Sequence, residues 1–462
     1  MKKFLLLILF SFSFLHAQTN SRENLLVVIG DTLFGKEIDG EKVREFINNV
    51  IITHGSVRIT CDRAIQNLKR NEVELIGNVI VTQDSVILKT PRGKYYGNTR
   101  TAHSNSGVDL TDGHIKLKAA MADYYNIDKY AVFVGDVNLQ DSSSTVASDK
   151  LTYYNDTDIV IAVGRVAVKD TSSSVLYADS LYNERNKGIV KAFGRVKVFD
   201  TKQNVSIFGE ELFVDREKKY EKITGDPVFM QIDTADNGIV DTLFISSIVM
   251  EQTSDSVSKF IATDSVKILR GQFSSLNNYS ILYRDEGKLF TYRKETEEVT
   301  PVLWYNNSQL TGDSIYIYID KNKLNSVDIR ENALVISVIE GFDFRYDQMS
   351  GDKLLMSFND DKLNSVKLNG NVLSIYNYLS DSTANGLIKS SSESALIKFE
   401  NNAVSDVRLY GSPVSEYHPE TVVTGNEKDF TIPSFMIRKG RPVKKLFLDK
   451  IPKKTYYKQR FN

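Results

Sequence analysis

The sequence is poor in cysteine and histidine, the residues that build disulfide frameworks and many metal sites, and it has no excess of positive charge. It has 462 residues and one cysteine, Cys61, so it relies on a packed core, in which Cys61 is expected to be a small buried apolar residue. The five histidines share no ligand spacing, which argues against a metal or histidine-based catalytic site, and no motif requires a cofactor. Lysine and arginine (58) balance aspartate and glutamate (59), which argues against nucleic acid as a partner.

A long apolar run is also missing. Lys2 and Lys3 precede a short apolar stretch from Phe4 to Leu15, and Leu15-His16-Ala17 fits a cleavage site. This stretch is shorter than the roughly 20 apolar residues of a transmembrane helix. Residues 1–17 are therefore predicted to be a signal peptide, and the mature chain is predicted to be exported.

A repeat organises a composition that favours strands. Tyrosine (23) and phenylalanine (24) are abundant, whereas proline occurs only eight times. A valine that follows a glycine or asparagine corner recurs at steps of 29, 29, 29, 29 and 30 residues, at Val50, Val79, Val108, Val137, Val166 and Val196. A fixed period of this size indicates a repeat architecture, in which each unit buries its apolar face by stacking on its neighbours.

Within each repeat, apolar and polar residues alternate, which predicts strands with one apolar face. Polar turns such as Gln83-Asp84-Ser85 separate the strands, so one repeat contains a pair of strands. The glycine of each corner falls among the apolar positions, which indicates a bend in the strand. The other face carries polar side chains, among them Arg165 and Lys197, and is predicted to meet water.

The repeat becomes looser after about residue 235 and then returns. The segment from Gly312 to Val327 matches the segment from Gly351 to Val366 at an offset of 39 residues. We expect regular repeats over residues 18–235, a looser region of the same kind over 236–430, and a basic tail over 431–462. The tail is expected to be poorly ordered. Two interpretations of it stay open: it contacts a membrane surface, or it is merely solvated.

Short motifs inside the repeats resemble a known family. Gly77-Asn78-Val79-Ile80-Val81, the Cys61-Asp62 and Ala178-Asp179 steps, and the return to Gly-Arg-Val are similar to the OstA-like domain of LptA-type periplasmic lipopolysaccharide-transport proteins and of the N-terminal part of LptD. The resemblance covers about residues 40–230 and, more weakly, 260–415. It implies an all-β, repeat-built open β-jellyroll: a V-shaped stack of antiparallel strand pairs, in one module or two consecutive ones.

The resemblance also implies a non-catalytic protein of the periplasm, free there or associated with the outer membrane, whose inward apolar stripe holds the acyl chains of a lipid. Each buried methylene contributes about 0.8 kcal/mol, so many small contacts can hold a chain. The stripe consists of Val73, Leu75, Val79, Val81, Phe133, Val137, Leu139, Val160, Val166, Val168, Val190, Val196 and Val198. These residues suit a closed core as well as a groove, and the sequence does not decide between the two.

The expected partners are lipopolysaccharide or a similar amphiphile and other jellyroll modules of a transport machinery. Such modules are expected to pair with open strand edges near Val50 and near Val407. Two alternatives remain: a polysaccharide-processing enzyme on a β-helix, and a non-catalytic β-repeat scaffold or adhesin with a dry interior. The charges fall on outward positions and in turns, which argues against the enzyme.

Overall fold

A computed structural model describes most of the chain after the predicted signal peptide, which lies outside the described residues. The described residues are 26–171, 174–234, 240–254, 257–294, 296, 300–320, 323–360, 362–380, 383–400 and 403–452. They divide into two compact units, within residues 1–142 and 143–462. The division between regular and looser repeats near residue 235 concerns the sequence pattern and stays a prediction.

The first unit is built from antiparallel strands between residues 26 and 142. Their bounds are β1 (Val27–Ile29), β2 (Thr32–Ile38), β3 (Glu41–His54), β4 (Val57–Asn67), β5 (Glu72–Gln83), β6 (Val86–Tyr96), β7 (Thr101–Ser104), β8 (Val108–Thr111), β9 (Lys116–Ala119), β10 (Met121–Tyr125) and β11 (Tyr130–Gln140). Long strands alternate with pairs of short ones, because a bend divides some strands into two separate elements.

The second unit continues the same pattern. Its strands are β12 (Ser144–Tyr154), β13 (Ile159–Asp170), β14 (Ser174–Glu184), β15 (Ile189–Asp200), β16 (Val205–Asp215), β17 (Tyr220–Thr224), β18 (Val228–Thr234), β19 (Val240–Ser246), β20 (Val249–Thr253), β21 (Lys259–Arg270), β22 (Phe273–Tyr283), β23 (Lys288–Tyr292), β24 (Val302–Tyr305), β25 (Ser308–Thr311), β26 (Ser314–Asp320), β27 (Lys323–Val338), β28 (Tyr346–Asn359), β29 (Lys362–Ser380), β30 (Thr383–Glu400), β31 (Ala403–Tyr410) and β32 (Val414–His418). The helices are short: 3-10 turns at Arg185–Lys187 and Glu427–Asp429, α1 (Glu420–Val423) and α2 (Lys444–Leu448).

These strands confirm the all-β fold of antiparallel strand pairs that the repeat predicts. Strand pairs such as β13–β14, β14–β15 and β15–β16 are antiparallel along their whole length. A β-helix stacks its strands in parallel. The antiparallel ladders of the described residues therefore do not have the architecture on which the enzyme alternative depends.

The predicted bend occurs at the glycine corner. Gly77 and Asn78 both have left-handed φ angles, +76° and +47°, and the register of β5 with β6 shifts between Ile76 and Val79. A Cβ atom on Gly77 would collide with the carboxylate of Asp62 on the preceding strand. The Asn78 amide donates to that carboxylate, with Nδ2 and Oδ2 2.9 Å apart. The Cys-Asp step and the Gly-Asn step are thus two sides of one corner.

Later corners keep this arrangement and replace the asparagine with arginine. The Arg165 Nε lies 3.0 Å from Oδ1 of Asp149, and the Arg195 Nε lies 3.1 Å from Oδ1 of Asp179. Because these ion pairs are largely exposed, each contributes at most about 1 kcal/mol. They align neighbouring corners along the outside of the stack, and Arg165 meets water as predicted.

Replacing Gly77 with alanine is expected to destabilise the first unit by about 1–3 kcal/mol, because the residue needs both a left-handed φ and the space beside Asp62. Urea denaturation measures the change. Gly35→Ala is the matched control, since an added Cβ there meets nothing within 4 Å. Equal losses in the two variants would show that the corner geometry is not what requires glycine.

Antiparallel register aligns the inward side chains of the second unit into two rows, one on each side of the corners. The first row is Tyr153, Val160, Asn183, Val190, Val214, Glu221, Gln252, Phe260, Leu282, Leu289, Ile317, Val327, Met356, Val366, Ile397 and Val407. The second row is Val168, Leu176, Val198, Ile207, Phe229, Ile245, Ile268, Ser275, Leu303, Leu310, Val335, Met349, Ser374, Ser390 and Ser415. The space between the two rows is called the trough below.

The chain after β32, residues 419–452, is called the C-terminal segment. It packs on the outer face of the second unit. Ile432 joins a buried cluster with Leu334 and Ile336, while Phe447 stacks on Phe244 with ring centroids 5.4 Å apart. The expectation of a poorly ordered tail is therefore wrong as far as residue 452, because apolar anchors between the basic residues bind it to the sheet. Residues 453–462 lie outside the described chain.

The same packing corrects the prediction for Lys197. Its side chain was expected to meet water, yet the residue is only 2% exposed. Its register partner is Phe208, which belongs to the cluster around Phe447, so this part of the outer face is covered. Burial lowers the pKa of the Lys197 ammonium group.

Each unit has one terminal edge at which strands pair on one side. Among the described residues, β1 and β2 pair only with β3, and β31 and β32 pair only with β30. Val50 lies on β3, which pairs with β4 as well as with β1 and β2, so the prediction of an edge at Val50 is wrong by one strand. Val407 lies on the edge strand β31 and is exposed, as expected.

Candidate functional site

The trough of the second unit encloses three cavities in succession along the strand stack. Their volumes are about 340, 280 and 880 Å³. We call them the first, second and third cavities in chain order. Both rows contribute to the first cavity, which shows that the two halves of each bent strand face each other across it.

Both apolar and polar side chains line the first cavity. Its apolar lining is Val146, Val168, Leu176, Leu181, Val190, Val198, Val205, Ile207, Leu212 and Val214. Polar groups also reach it, among them Asn183, Glu221 and Arg284. The Asn183 Oδ1 atom is buried and accepts no hydrogen bond from the described residues. A donor on a bound molecule would satisfy this acceptor.

An aromatic pair closes the trough between the first and second cavities. Phe229 and Phe260 lie in opposite rows, both buried, and their ring centroids are 5.0 Å apart. In the second row, Phe229 separates Ile207 of the first cavity from Ile245 of the second. The pair is called the aromatic barrier below.

A second aromatic contact marks the boundary between the second and third cavities. Tyr305 lines both cavities, and its ring meets that of Phe358 edge to face, with centroids 5.3 Å apart. Leu282, Leu289 and Ile317 of the first row line the second cavity. The trough is therefore divided into apolar compartments by aromatic side chains.

The third cavity is the largest and has two different walls. The wall on the first-row side is apolar and includes Met356, Leu363, Ala395, Ile397, Phe399, Val404, Val407 and Leu409. The second-row wall carries hydroxyl groups from Ser337, Ser374, Ser390 and Ser415. Volumes of about 300–1,000 Å³ are typical of sites that enclose a small organic ligand. The cavity thus offers an apolar surface opposite a polar one.

One carboxylate lines the third cavity. Asp347 accepts hydrogen bonds from the backbone N–H and the side-chain amide of Asn377, with N and Nδ2 2.8 and 3.2 Å from Oδ1. Burial nevertheless raises the pKa of Asp347, because desolvation outweighs these two donors.

Two charged residues line the first cavity, Glu221 and Arg284, and Arg284 lies beside the aromatic barrier. Protein atoms surround Glu221 although it remains exposed to the trough, and this desolvation raises its pKa, which the charge of Arg284 partly offsets. Desolvation likewise lowers the pKa of Arg284, which Glu221 and Asp200 partly restore. The guanidinium carbon of Arg284 lies 5.8 Å from the Phe229 ring centroid and 6.0 Å from that of Phe260.

The structure places the stripe residues predicted from the sequence in two settings. In the first unit, Val73, Leu75, Val79, Val81, Phe133, Val137 and Leu139 are buried and form its core. In the second unit, Val160, Val166, Val190 and Val196 are buried, and Val190 lines the first cavity together with Val168 and Val198. Their contact with acyl chains stays a prediction.

Polar side chains interrupt the interior of the first unit. The Nδ1 atom of His54 lies 2.9 Å from the Tyr95 hydroxyl, and Tyr124 donates to Oε1 of Gln83 at 2.6 Å. Burial raises the pKa of Tyr95 to about 12, so its hydroxyl stays neutral. Cys61 is buried, as predicted, and burial raises the pKa of its thiol to about 11. The hydrogen bonds between His54 and Tyr95 and between Tyr124 and Gln83 thus satisfy these polar groups inside the first unit.

The second and third cavities, and the position of Glu221 and Arg284 at the first cavity, were not predicted. The residues of the second and third cavities come from the looser repeats, in which one segment recurs at an offset of 39 rather than 29 residues. The alternation of Ala395, Ile397 and Phe399 within β30 was a usable signal for the wall of the third cavity. Glu221 and Arg284 gave no signal, because only the register across several strands brings them together.

The described residues meet the requirements of neither a metal site nor a membrane-spanning helix. No group of three or more His, Cys, Asp or Glu side chains in those residues is placed to hold a metal ion. None of the helices described between residues 26 and 452 has the length and apolar character of a membrane span.

Part of this chain is similar to a known protein family. The family described as OstA-like protein matches residues 23–173 and again residues 154–243. Over these residues the chain is similar to the OstA-like family. The two overlapping matches reflect the internal repeat, and they cover most of the first cavity but end before the third.

A solved structure also shows a weak similarity to part of this chain. One solved structure is LptH, described as the LptA homologous periplasmic component of the conserved lipopolysaccharide transport device from Pseudomonas aeruginosa. It is similar at 16% identity over 28% of this chain and 92% of that chain, with a TM-score of 0.23, and a likeness of this degree carries no argument. No curated protein sequence matches this chain.

Proposed function

We propose that the protein is a periplasmic carrier that binds the acyl chains of lipopolysaccharide or a similar amphiphile and helps to move it towards the outer membrane. It acts without covalent chemistry. The observation that supports this proposal most strongly is the succession of three cavities between two inward rows, the largest of about 880 Å³. The match of residues 23–243 to the OstA-like family supports the same assignment.

The walls of the cavities suit hydrocarbon chains. Each methylene that leaves water contributes about 0.8 kcal/mol, so a chain of ten buried methylenes gains about 8 kcal/mol before ordering costs. No specific polar contact is needed for that part of the ligand. The aromatic barrier divides the binding surface into separate cavities. No single cavity therefore binds a whole acyl chain irreversibly.

The two terminal edges provide the surfaces for partner modules in this proposal. Leu33 and Phe34 on β2 are exposed at the edge of the first unit, as are Val407 on β31 and Val414 on β32 at the edge of the second. Exposed apolar edge strands accept further strands by backbone pairing. Other jellyroll modules of a transport machinery are the proposed partners, added at β2 and at β31.

The C-terminal segment supplies the proposed contact with a membrane surface. Lys439, Lys444, Lys445 and Lys450 are exposed on it, whereas its buried apolar anchors, Val423, Ile432 and Phe447, pack against the sheet. A cluster of this kind attracts an anionic lipid surface by about 1 kcal/mol for each basic residue.

Depletion of the protein in its host tests the carrier function. Newly made lipopolysaccharide is pulse-labelled, and its arrival at the cell surface is followed by access to an external modifying enzyme. The proposal predicts that surface arrival stops while labelled lipopolysaccharide accumulates inside, and that the wild-type gene restores it. Unchanged surface arrival after complete depletion would contradict the proposed function.

A further inference from the structure

Arg284 occupies an unusual position at the end of the first cavity. Its side chain is half-buried and lines the first cavity beside the faces of both rings of the aromatic barrier, and the surrounding protein partly desolvates it. A guanidinium has five N–H donors in a planar fork. Among the described residues, one hydrogen bond uses this fork: Nη1 donates to Oε1 of Gln203 at 3.2 Å.

The surrounding acidic groups do not use the remaining donors. Glu221 and Asp200 line the same cavity and, with Asp285, act on Arg284 through their charge, yet no ion pair within 4 Å joins Arg284 to any of them in the described chain. A partly desolvated cation with open donors is costly unless an acceptor completes it. The cavity therefore has an incomplete anion-binding group at one end and apolar walls along the rest.

We propose that Arg284 binds an oxyanion, a phosphate or carboxylate, at the head of an amphiphile whose acyl chain lies in the first cavity. The proposal rests on the proposed carrier function and adds a recognition site to it. The fork of a guanidinium matches the two oxygens of such a group, and the bond between opposite charges is stronger than a neutral one. Phe229 and Phe260 hold the guanidinium in place by cation–π contact.

Glu221 gives this site a preference among anions. It lies on β17 in the first row of the same cavity, between its register partners Val214 on β16 and Gln252 on β20. A carboxylate in this position opposes a second negative charge near Arg284. Removing its charge is therefore expected to tighten binding of an anionic head.

The direct test measures binding of alkyl ligands to the full mature chain by isothermal titration calorimetry, below the concentrations at which they form micelles. Dodecyl phosphate carries the oxyanion, dodecyl maltoside has the same chain with a neutral head, and inorganic phosphate has no chain. We expect dodecyl phosphate to bind at least about tenfold more tightly than dodecyl maltoside. Inorganic phosphate alone is expected to bind much more weakly than either.

Arg284→Gln is expected to remove the preference for dodecyl phosphate while leaving the affinity for dodecyl maltoside within about threefold. Arg284→Lys is expected to keep part of the preference, since it retains the charge without the fork. Lys191→Gln on the outer face of β15 is the matched control and is expected to change neither affinity. Glu221→Gln is expected to tighten dodecyl phosphate several-fold, and it serves as the second variant should Arg284→Gln fold poorly.

The outcomes separate this site from the carrier function. Equal binding of the two dodecyl ligands to the wild type, or a preference that survives Arg284→Gln, overturns the oxyanion site alone. Inorganic phosphate that binds as tightly as dodecyl phosphate overturns the assignment to an amphiphile. If neither dodecyl ligand binds at all, the carrier function fails together with the site. Weaker binding of dodecyl phosphate after Glu221→Gln also contradicts the proposal.

Discussion

Replacing Ser374 with tryptophan is expected to lower binding of an acyl amphiphile by more than about tenfold. Ser374 lies in the second row and lines the third cavity of about 880 Å³, so an indole at this position fills space that the ligand needs. Excluding two methylenes costs about 1.6 kcal/mol, which is more than a tenfold change in affinity. Displacement of a fluorescent fatty-acyl probe by lipopolysaccharide measures the change.

Lys367→Trp provides the control for this experiment, because Lys367 lies on the same strand, β29, and is exposed on its outer face. It adds the same indole without entering the trough and is expected to leave binding unchanged. If Ser374→Trp and Lys367→Trp bind the probe equally well, the third cavity is not where acyl chains lie.

Replacing Phe447 with alanine is expected to destabilise the second unit by about 3–5 kcal/mol. The ring is completely buried, stacks on Phe244 and packs against Phe208 and Val228, so its removal leaves a hole in a cluster that fixes the C-terminal segment to the sheet. The midpoint of urea denaturation, followed by tyrosine and tryptophan fluorescence, measures the loss.

Val443 is the matched control, since it lies in the same segment but is exposed. Val443→Ala is expected to change the free energy of unfolding by less than about 0.5 kcal/mol. A similar small effect of Phe447→Ala would mean that the C-terminal segment contributes little to the fold, despite its buried anchors.

The strand pairs and corners were predictable because they depend on local sequence. The pairing of Gly77-Asn78 with Asp62, and of Arg195 with Asp179, recurs at a constant spacing and directly reflects the geometry of a bent strand. Alternating apolar residues then fix which face is inward. The corner spacing and this alternation together predict that the stripe residues point inward.

The cavities and the outer covering were not predictable in the same way. Whether an inward row packs shut or leaves a cavity depends on how far the two halves of the strands separate, and valine lines both the core of the first unit and the first cavity of the second. Phe229 and Phe260 meet only because register carried across many strands places them opposite each other. The burial of Phe447 depends on a long-range contact with Phe244 that no local pattern reveals.

Site-specific photocrosslinking to acyl-labelled lipopolysaccharide tests the central claim most directly. A photoreactive amino acid is placed at Val168 and Ile397, which line the first and third cavities, and at the adjacent outward residues Lys169 and Lys398. A trough that carries acyl chains predicts crosslinks from Val168 and Ile397 and none above background from the two lysines. Crosslinks from the lysines alone, or from none of the four positions, would contradict it.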